Sequence, residues 1–218
     1  MTINSRVFTV VAVALVGAGA ACRSAAARTD RPPIIQPGAP GQASRVLAPG
    51  TAGDLARPAR SAADVKFMQG MIGHHAQAIE MTTLLATRTA SADMRKLAQR
   101  IEVSQADEIR MMREWLARRG ASLPDEHAHH AGGAALMPGM LTPEEMGRLR
   151  AASGLAFDKL FLEYMIKHHE GALIMVKELF ATAGAAQDSE IYAFASDVNA
   201  DQRMEIARMA GMLKELQR

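Results

Sequence analysis

The chain has 218 residues, of which 49% are hydrophobic and 22% charged, so it is long enough for one domain with a packed core plus appended segments. A single cysteine excludes an intrachain disulfide framework and any structural zinc site that needs two thiolates. The formal net charge is +2, but residues 1–60 hold 7 Lys+Arg against 2 Asp+Glu, so the rest of the chain is slightly acidic and nucleic-acid binding is not expected.

Residues 1–22 have the order of an export signal peptide. Arg6 precedes an apolar stretch over 7–16, and small residues lead from there to Cys22. A transmembrane anchor is the alternative, but the stretch is shorter than the about 20 apolar residues that span a bilayer. The surroundings of Cys22 are similar to a bacterial lipoprotein acylation site, which makes this cysteine a candidate for lipidation. We therefore expect an exported protein, periplasmic or tethered by a lipid on the extracytoplasmic side.

The composition changes at about residue 61. Residues 23–60 are rich in proline and small residues and lack an apolar period, which predicts a disordered tether. From residue 61 onward, apolar residues recur at helical spacing and strand-like alternation is absent. The pattern predicts an all-α domain over 61–218, with helices over about 61–89, 91–119, 143–152, 154–182 and 188–216. Thr142, Pro143 and Glu145 give the short helix an N-cap, a first-turn proline and a capping box.

An internal repeat relates the two halves of this domain. The segment D-x-x-F-M-x-x-M-I-x-H-H-x-x-A-x-x-M at 64–81 returns as D-x-x-F-L-x-x-M-I-x-H-H-x-x-A-x-x-M at 158–175. A second pair, Q-x-x-E-I-x-x-M, occupies 105–112 and 202–209. Two copies of a helical hairpin predict a four-helix bundle, and the long connection between them favours a ferritin-like crossover over a plain up-and-down order.

The repeated histidines and methionines fall on one half of their helices, which predicts that they face the interior. A methionine stripe taken alone usually indicates core packing. Four inward imidazoles, however, need hydrogen bonds or a cation, since an unpaired buried polar group costs about 1–3 kcal/mol. Thioether and imidazole donors without thiolate favour Cu(I), with Ag(I) or Cu(II) as alternatives. The predicted ligands are Met71, His74, His75, Met81, Met165, His168, His169 and Met175.

Other residues are candidates to support this site. Asp64 and Asp158 lie on the inward faces, where each carboxylate can hydrogen-bond the imidazoles of the opposite helix. Glu108 and Glu205 can also turn inward if the methionines four residues after them do. The connector over 121–141 has a metal-biased composition and is either a solvated linker or an outer collection site or lid. The secondary metal candidates are Met68, His127, His129, His130, Met137 and Met140.

The paired F-[ML]-x-x-M-I-x-H-H segments, the M-P-G-M-L-T-P-E-E-M connector and the exported leader resemble the domain of unknown function 305 family. The resemblance covers residues 61–218. It implies a ferritin-like helical bundle that binds copper outside the cytoplasm through the histidines and methionines of the two repeats. Leu162 departs from the pattern, because the first repeat has Met68 at the equivalent place, so the number of ions per chain stays open.

The primary hypothesis is a non-catalytic, exported copper-binding protein that sequesters Cu(I) or passes it to an envelope partner, with membrane contact only through an N-terminal lipid. A ferritin-like metal-dependent oxidoreductase is the first alternative, and turnover of Cu(I) or Fe(II) would distinguish it. A structural or partner-binding bundle without metal is the second. Such a bundle would melt at the same temperature with or without Cu(I), because only a ligand of the folded state raises stability.

Overall fold

The computed structural model describes residues 34–36, 44–47, 61–124 and 136–217. Within them the chain forms two short strands and six helices. The all-α prediction for the domain is confirmed. The strands are β1 (Ile34–Gln36) and β2 (Arg45–Leu47), and the helices are α1 (Ala62–Thr83), α2 (Leu85–Arg88), α3 (Ala92–Arg118), α4 (Pro143–Ala151), α5 (Gly154–Ala181) and α6 (Ser189–Leu216).

The two strands lie in a separate unit of the chain, residues 1–55, and form an antiparallel ladder in which Ile35 is opposite Val46. The composition of residues 23–60 predicts a tether without regular structure. Three-residue strands are too short to show an alternating pattern, although β-branched residues such as these favour extended pairing. The predicted signal peptide, including Cys22, lies outside the described residues.

Side-chain caps begin α1, α3, α4 and α6. Thr142 and Glu145 form the predicted capping box at α4. Ser61 and Asp64 form a second box at α1, and the residues that precede α3 and α6 cap those helices with a side-chain oxygen.

The end of α1 differs from the prediction of one continuous helix. α1 stops at Thr83, and after Leu84 a single turn, α2, follows. The hydroxyls of Thr82 and Thr83 each donate to the carbonyl three residues earlier. Threonine hydroxyls that compete for helix carbonyls in this way explain the interruption.

Two helical hairpins form the bundle. α1 packs on α3, α5 packs on α6, and α1 also packs against α5. The first half of α1 shares an apolar cluster with the last parts of α3 and α5, so α1 runs antiparallel to both. α3 and α5 are therefore parallel, and the connection between them returns along the bundle, as the predicted crossover requires.

Two apolar clusters fill the bundle, and the repeated histidines lie between them. On α1 the first cluster ends at Ile72 and the second begins at Ala78. On α5 the second cluster ends at Met165 and the first resumes at Ala172. None of the helices in the described part of the chain combines the length and apolar character that a bilayer crossing needs.

Candidate metal centre

Four imidazoles form a buried layer across the middle of the bundle, which we call the histidine layer. His74 and His75 come from α1, His168 and His169 from α5, and all four are fully buried. The rings of His74 and His168 meet with centroids 3.8 Å apart. Within each pair the ring centroids are 6.3 Å apart and the planes are inclined by 56°. The equal geometry shows that the two repeats are related by a local pseudo-twofold axis, which brings the four predicted histidines together.

Glutamates on the partner helices hydrogen-bond one histidine of each pair. The Nε2 atom of His75 lies 2.5 Å from Oε2 of Glu108 on α3, and that of His169 lies 2.7 Å from Oε2 of Glu205 on α6. A carboxylate without a proton only accepts hydrogen bonds, so each Nε2 carries the hydrogen, and in the neutral ring each Nδ1 then carries a lone pair. The sequence analysis anticipated that Glu108 and Glu205 can turn inward, and both are buried.

His74 is held by the connector. Its Nε2 donates to the carbonyl of Pro138 at 3.0 Å, because a carbonyl can only accept. Burial, together with the nearby imidazole of His75, lowers the pKa of His74 to about 3, although the Pro138 carbonyl acts in the opposite direction. Burial and the neighbouring His74 also lower the pKa of His168 well below its ordinary value. These two rings are therefore neutral at pH 7, the form in which imidazole binds metals.

Five nitrogens of the layer are buried without a hydrogen bond of ordinary geometry. They are Nδ1 of each of the four rings and, in addition, Nε2 of His168. Leaving a buried polar atom unpaired costs about 1–3 kcal/mol, so the metal-free layer lowers the stability of the folded protein. One nitrogen of a neutral ring carries the hydrogen, so each of the four rings can offer one lone pair to a cation.

The predicted methionine ligands divide between the two sides of the histidine layer. Met71 of the first repeat and Met175 of the second belong to the first cluster, together with Met112. Met81 and Met165 belong to the second cluster. There Met209, the counterpart of Met112 in the repeat, joins them. Three of the buried thioethers on each side are thus equivalent in the two repeats and come from three different helices, which adds Met112 and Met209 to the set predicted from the sequence. Met68 is also buried in the first cluster, and Leu162 is buried in the second.

The predicted hydrogen bond from the imidazoles of the opposite helix to the Asp64 carboxylate is not formed, so this prediction is wrong. Asp64 accepts at Oδ2 from the amide of Ser61 and at Oδ1 from the amide of Ala186 at 2.8 Å, so it caps α1 and fixes the turn before α6. Glu108 and Glu205 take the place next to the imidazoles instead. Asp158 is buried, and its Oδ1 makes no hydrogen bond.

The end of the connector, residues 137–141, closes over α1 and α5. Gln77 donates to the carbonyl of Leu141 and accepts from its amide at 2.7 Å. A Cβ placed on Gly171 would stand 1.9 Å from the Pro138 carbonyl oxygen, so only glycine permits this approach. Met140 is buried and Met137 is half-buried against the first cluster. His127, His129 and His130 lie outside the described residues.

The outer side of the layer is acidic between α3 and α6. Burial raises the pKa of Asp201, and the nearby charges of Glu108 and Glu205 raise it further. In residues 61–124 and 136–217, no three His, Cys, Asp or Glu side chains are grouped so as to hold a metal ion by themselves.

The geometry can be compared with that of known proteins. The profile described as "Domain of unknown function (DUF305)" matches residues 64–213. A protein from Streptomyces coelicolor described as a "putative secreted protein DUF305" is 30% identical, with 71% of this chain and 94% of that chain covered and a TM-score of 0.63. A DUF305 fragment from Deinococcus radiodurans is 29% identical, with 72% and 99% covered and a TM-score of 0.63.

A third similar structure is that of CopM in its Cu(II)-bound form. It is 25% identical, with 70% of this chain and 96% of that chain covered and a TM-score of 0.58. CopM structures in Cu(I)-bound and Ag-bound forms give TM-scores of 0.55 and 0.53. Among curated protein sequences, none matches the chain. Because the family profile spans nearly the whole bundle and solved members share its fold, the chain belongs to the DUF305 family.

Proposed function

We propose that the chain is an exported, non-catalytic copper-binding protein that holds Cu(I) at the histidine layer and sequesters it or passes it on in the cell envelope. One observation carries the proposal. Five imidazole nitrogens are buried in a single layer without a hydrogen bond of ordinary geometry. A bound cation would remove a cost of about 1–3 kcal/mol for each nitrogen that it coordinates.

The donor set favours copper in its reduced state. Neutral imidazole and thioether sulfur, without thiolate, suit Cu(I) and, by the same softness, Ag(I). Met71 and Met175 supply thioethers on one side of the layer, and Met81 and Met165 supply them on the other. Cu(II) would favour the imidazoles over the sulfurs. The CopM structures in Cu(I)-bound, Cu(II)-bound and Ag-bound forms support the proposal, since that protein shares the fold and 25% of its aligned residues.

Glu108 and Glu205 act on the site through the imidazoles. Each accepts the Nε2 hydrogen of its histidine and so directs the Nδ1 lone pair toward the interior. Carboxylates in this position orient the ring and raise its basicity as a metal ligand. We therefore assign coordination to Nδ1 of His75 and His169.

The remaining candidates belong to the same proposal. Residues 1–22 direct export and Cys22 carries a lipid, which intact mass spectrometry of the chain isolated from its own membrane would detect. We also propose the histidines at 127, 129 and 130 as an outer collection site for the ion. A transfer partner in the envelope would receive the ion. If the loaded protein oxidised Cu(I) or Fe(II) faster than solution controls, the oxidoreductase alternative would replace this account.

Methionine replacements give the direct test. Leucine keeps the size and apolar character of methionine and removes the sulfur, so Met71→Leu with Met165→Leu leaves the fold intact. We expect Cu(I) affinity, measured by anaerobic competition against a chromophoric chelator, to fall by about tenfold or more. The matched control is Met111→Leu with Met204→Leu, because both of these methionines are exposed on the partner helices. Equal affinities for the two double variants and the wild type would contradict the proposal.

A further inference from the structure

The first cluster opens to solvent through a cavity of about 630 Å³ between α1, α5 and the end of the connector. Met137 and Met175 line it, together with Gly70. Lys66 and Glu178 also line it and carry opposite charges. A neutral, sulfur-lined cavity is poorly suited to a hard, hydrated cation and well suited to a soft one.

The two thioethers converge above Gly70. The point where a Cβ would stand on Gly70 lies 3.0 Å from Sδ of Met137 and 3.4 Å from Cε of Met175. Both side chains occupy the space that any larger residue would fill. The absence of a side chain at this position therefore brings together one methionine of the repeat and one of the connector.

The second repeat does not reproduce this opening at the equivalent position. The position equivalent to Gly70 in the second repeat is Tyr164, which packs on the second cluster. Met81, the counterpart of Met175, is fully buried, whereas Met175 is 8% exposed. The two equivalent methionines thus differ in exposure, and the gap at Gly70 lies on the side of the more exposed one.

The cavity borders residues that contact the histidine layer. Met137 immediately precedes Pro138, whose carbonyl holds His74. Met175 packs in the first cluster with Met71, which lies one turn before His74 and His75. An ion bound by the two outer sulfurs would therefore be next to the inner donors.

We propose that Met137 and Met175 form a second, solvent-facing thioether site for Cu(I) or Ag(I), from which the ion reaches the histidine layer. The inference rests on the proposed function for the identity of the ion. The site itself depends only on the two thioethers and on the gap left by Gly70.

The test is an Ag(I) titration of the full chain labelled with 13C at the methionine methyl groups and 15N at histidine, with signals assigned by single Met→Leu variants. Ag(I) is a suitable probe because it shares the softness of Cu(I) and has no redox change under these conditions. We expect the methyl signals of Met137 and Met175 to shift together, along with the imidazole signals. Imidazole shifts without a Met137 shift would overturn the outer site and leave the proposed function standing. Shifts of Met137 and Met175 without imidazole shifts would overturn the proposed function and leave the outer site standing. No shifts at all would overturn the outer site and the proposed function together.

A variant that narrows the gap gives a second measurement. In Gly70→Ala the new methyl group would displace the sulfur of Met137, since 3.0 Å is closer than carbon and sulfur normally approach. Gly211→Ala is the matched control, because nothing lies within 4 Å of its added Cβ on another helix. We expect Ag(I) to bind the outer site about tenfold more weakly in Gly70→Ala than in Gly211→Ala. Equal binding would overturn the role of the two sulfurs.

Discussion

Replacing His168 by leucine should stabilise the metal-free protein while it weakens metal binding. His168 is fully buried, and neither of its ring nitrogens makes a hydrogen bond of ordinary geometry. Each unpaired nitrogen costs about 1–3 kcal/mol, and leucine has neither. Allowing for an imperfect fit beside the ring of His74, we expect the free energy of unfolding to rise by about 2 kcal/mol.

The matched variant His75→Leu should have the opposite effect. His75 is equally buried, but its Nε2 donates to Glu108. Its replacement leaves a buried carboxylate without that hydrogen bond, and such a bond to a charged group contributes about 1.5–3 kcal/mol. Leucine also removes the unpaired Nδ1 of His75, which offsets part of this loss, so the free energy of unfolding should fall by about 1 kcal/mol.

Urea unfolding followed by circular dichroism, with a chelator present to remove metal, measures both variants at pH 7.5. Cu(I) competition on the same samples should show weaker binding for each of them. The two variants should thus change stability in opposite directions and both bind Cu(I) more weakly. That combination would indicate that the histidine layer serves metal binding and lowers the stability of the metal-free protein. If His168→Leu loses as much stability as His75→Leu, the nitrogens of His168 are satisfied in the folded protein and the reasoning fails.

Further predictions concern pH and the connector. Because burial lowers the pKa of His74 from 6.5 to about 3, the unfolded chain binds a proton at this residue over that interval and the folded chain does not. Stability should fall as the pH falls through this window, by about 2 kcal/mol at pH 5 from His74 alone. His168 acts in the same direction, so unfolding curves of His168→Leu should depend less steeply on pH, and equal slopes would contradict this. Gly171→Ala should lower the free energy of unfolding by about 3 kcal/mol, because its Cβ would collide with the Pro138 carbonyl. Gly147→Ala, whose Cβ meets nothing within 4 Å, should raise that free energy by up to about 1 kcal/mol in the same melting experiment, and similar changes in the two variants would show that the connector is not held at Gly171.

The architecture could be predicted from local signals. The apolar period set the helices, the capping box of Thr142 and Glu145 marked the start of α4, and the repeat predicted the two hairpins. Inward placement of the four histidines followed from their angles on the helix, and the structure confirms that they are buried together. These features depend on residues close together in the chain, where sequence patterns are informative.

The parts that were missed depend on long-range contacts. Asp64 and the glutamates lie on equally plausible inward faces, and only the assembled bundle shows that Asp64 bonds to the amide of Ala186 while Glu108 reaches His75. A backbone carbonyl carries no side-chain signal, so the bond from Pro138 to His74 could not be read from residue types. The requirement for glycine at 171 likewise arises from a chain segment more than thirty residues away.

X-ray absorption at the copper edge of the Cu(I)-loaded chain tests the central claim most directly. The account predicts both sulfur and nitrogen neighbours around the copper, with the outer scattering pattern of imidazole rings. Loss of the sulfur contribution in Met71→Leu with Met165→Leu, but not in Met111→Leu with Met204→Leu, would locate the ion beside the histidine layer. A copper site with oxygen neighbours only, or a spectrum without imidazole, would contradict it.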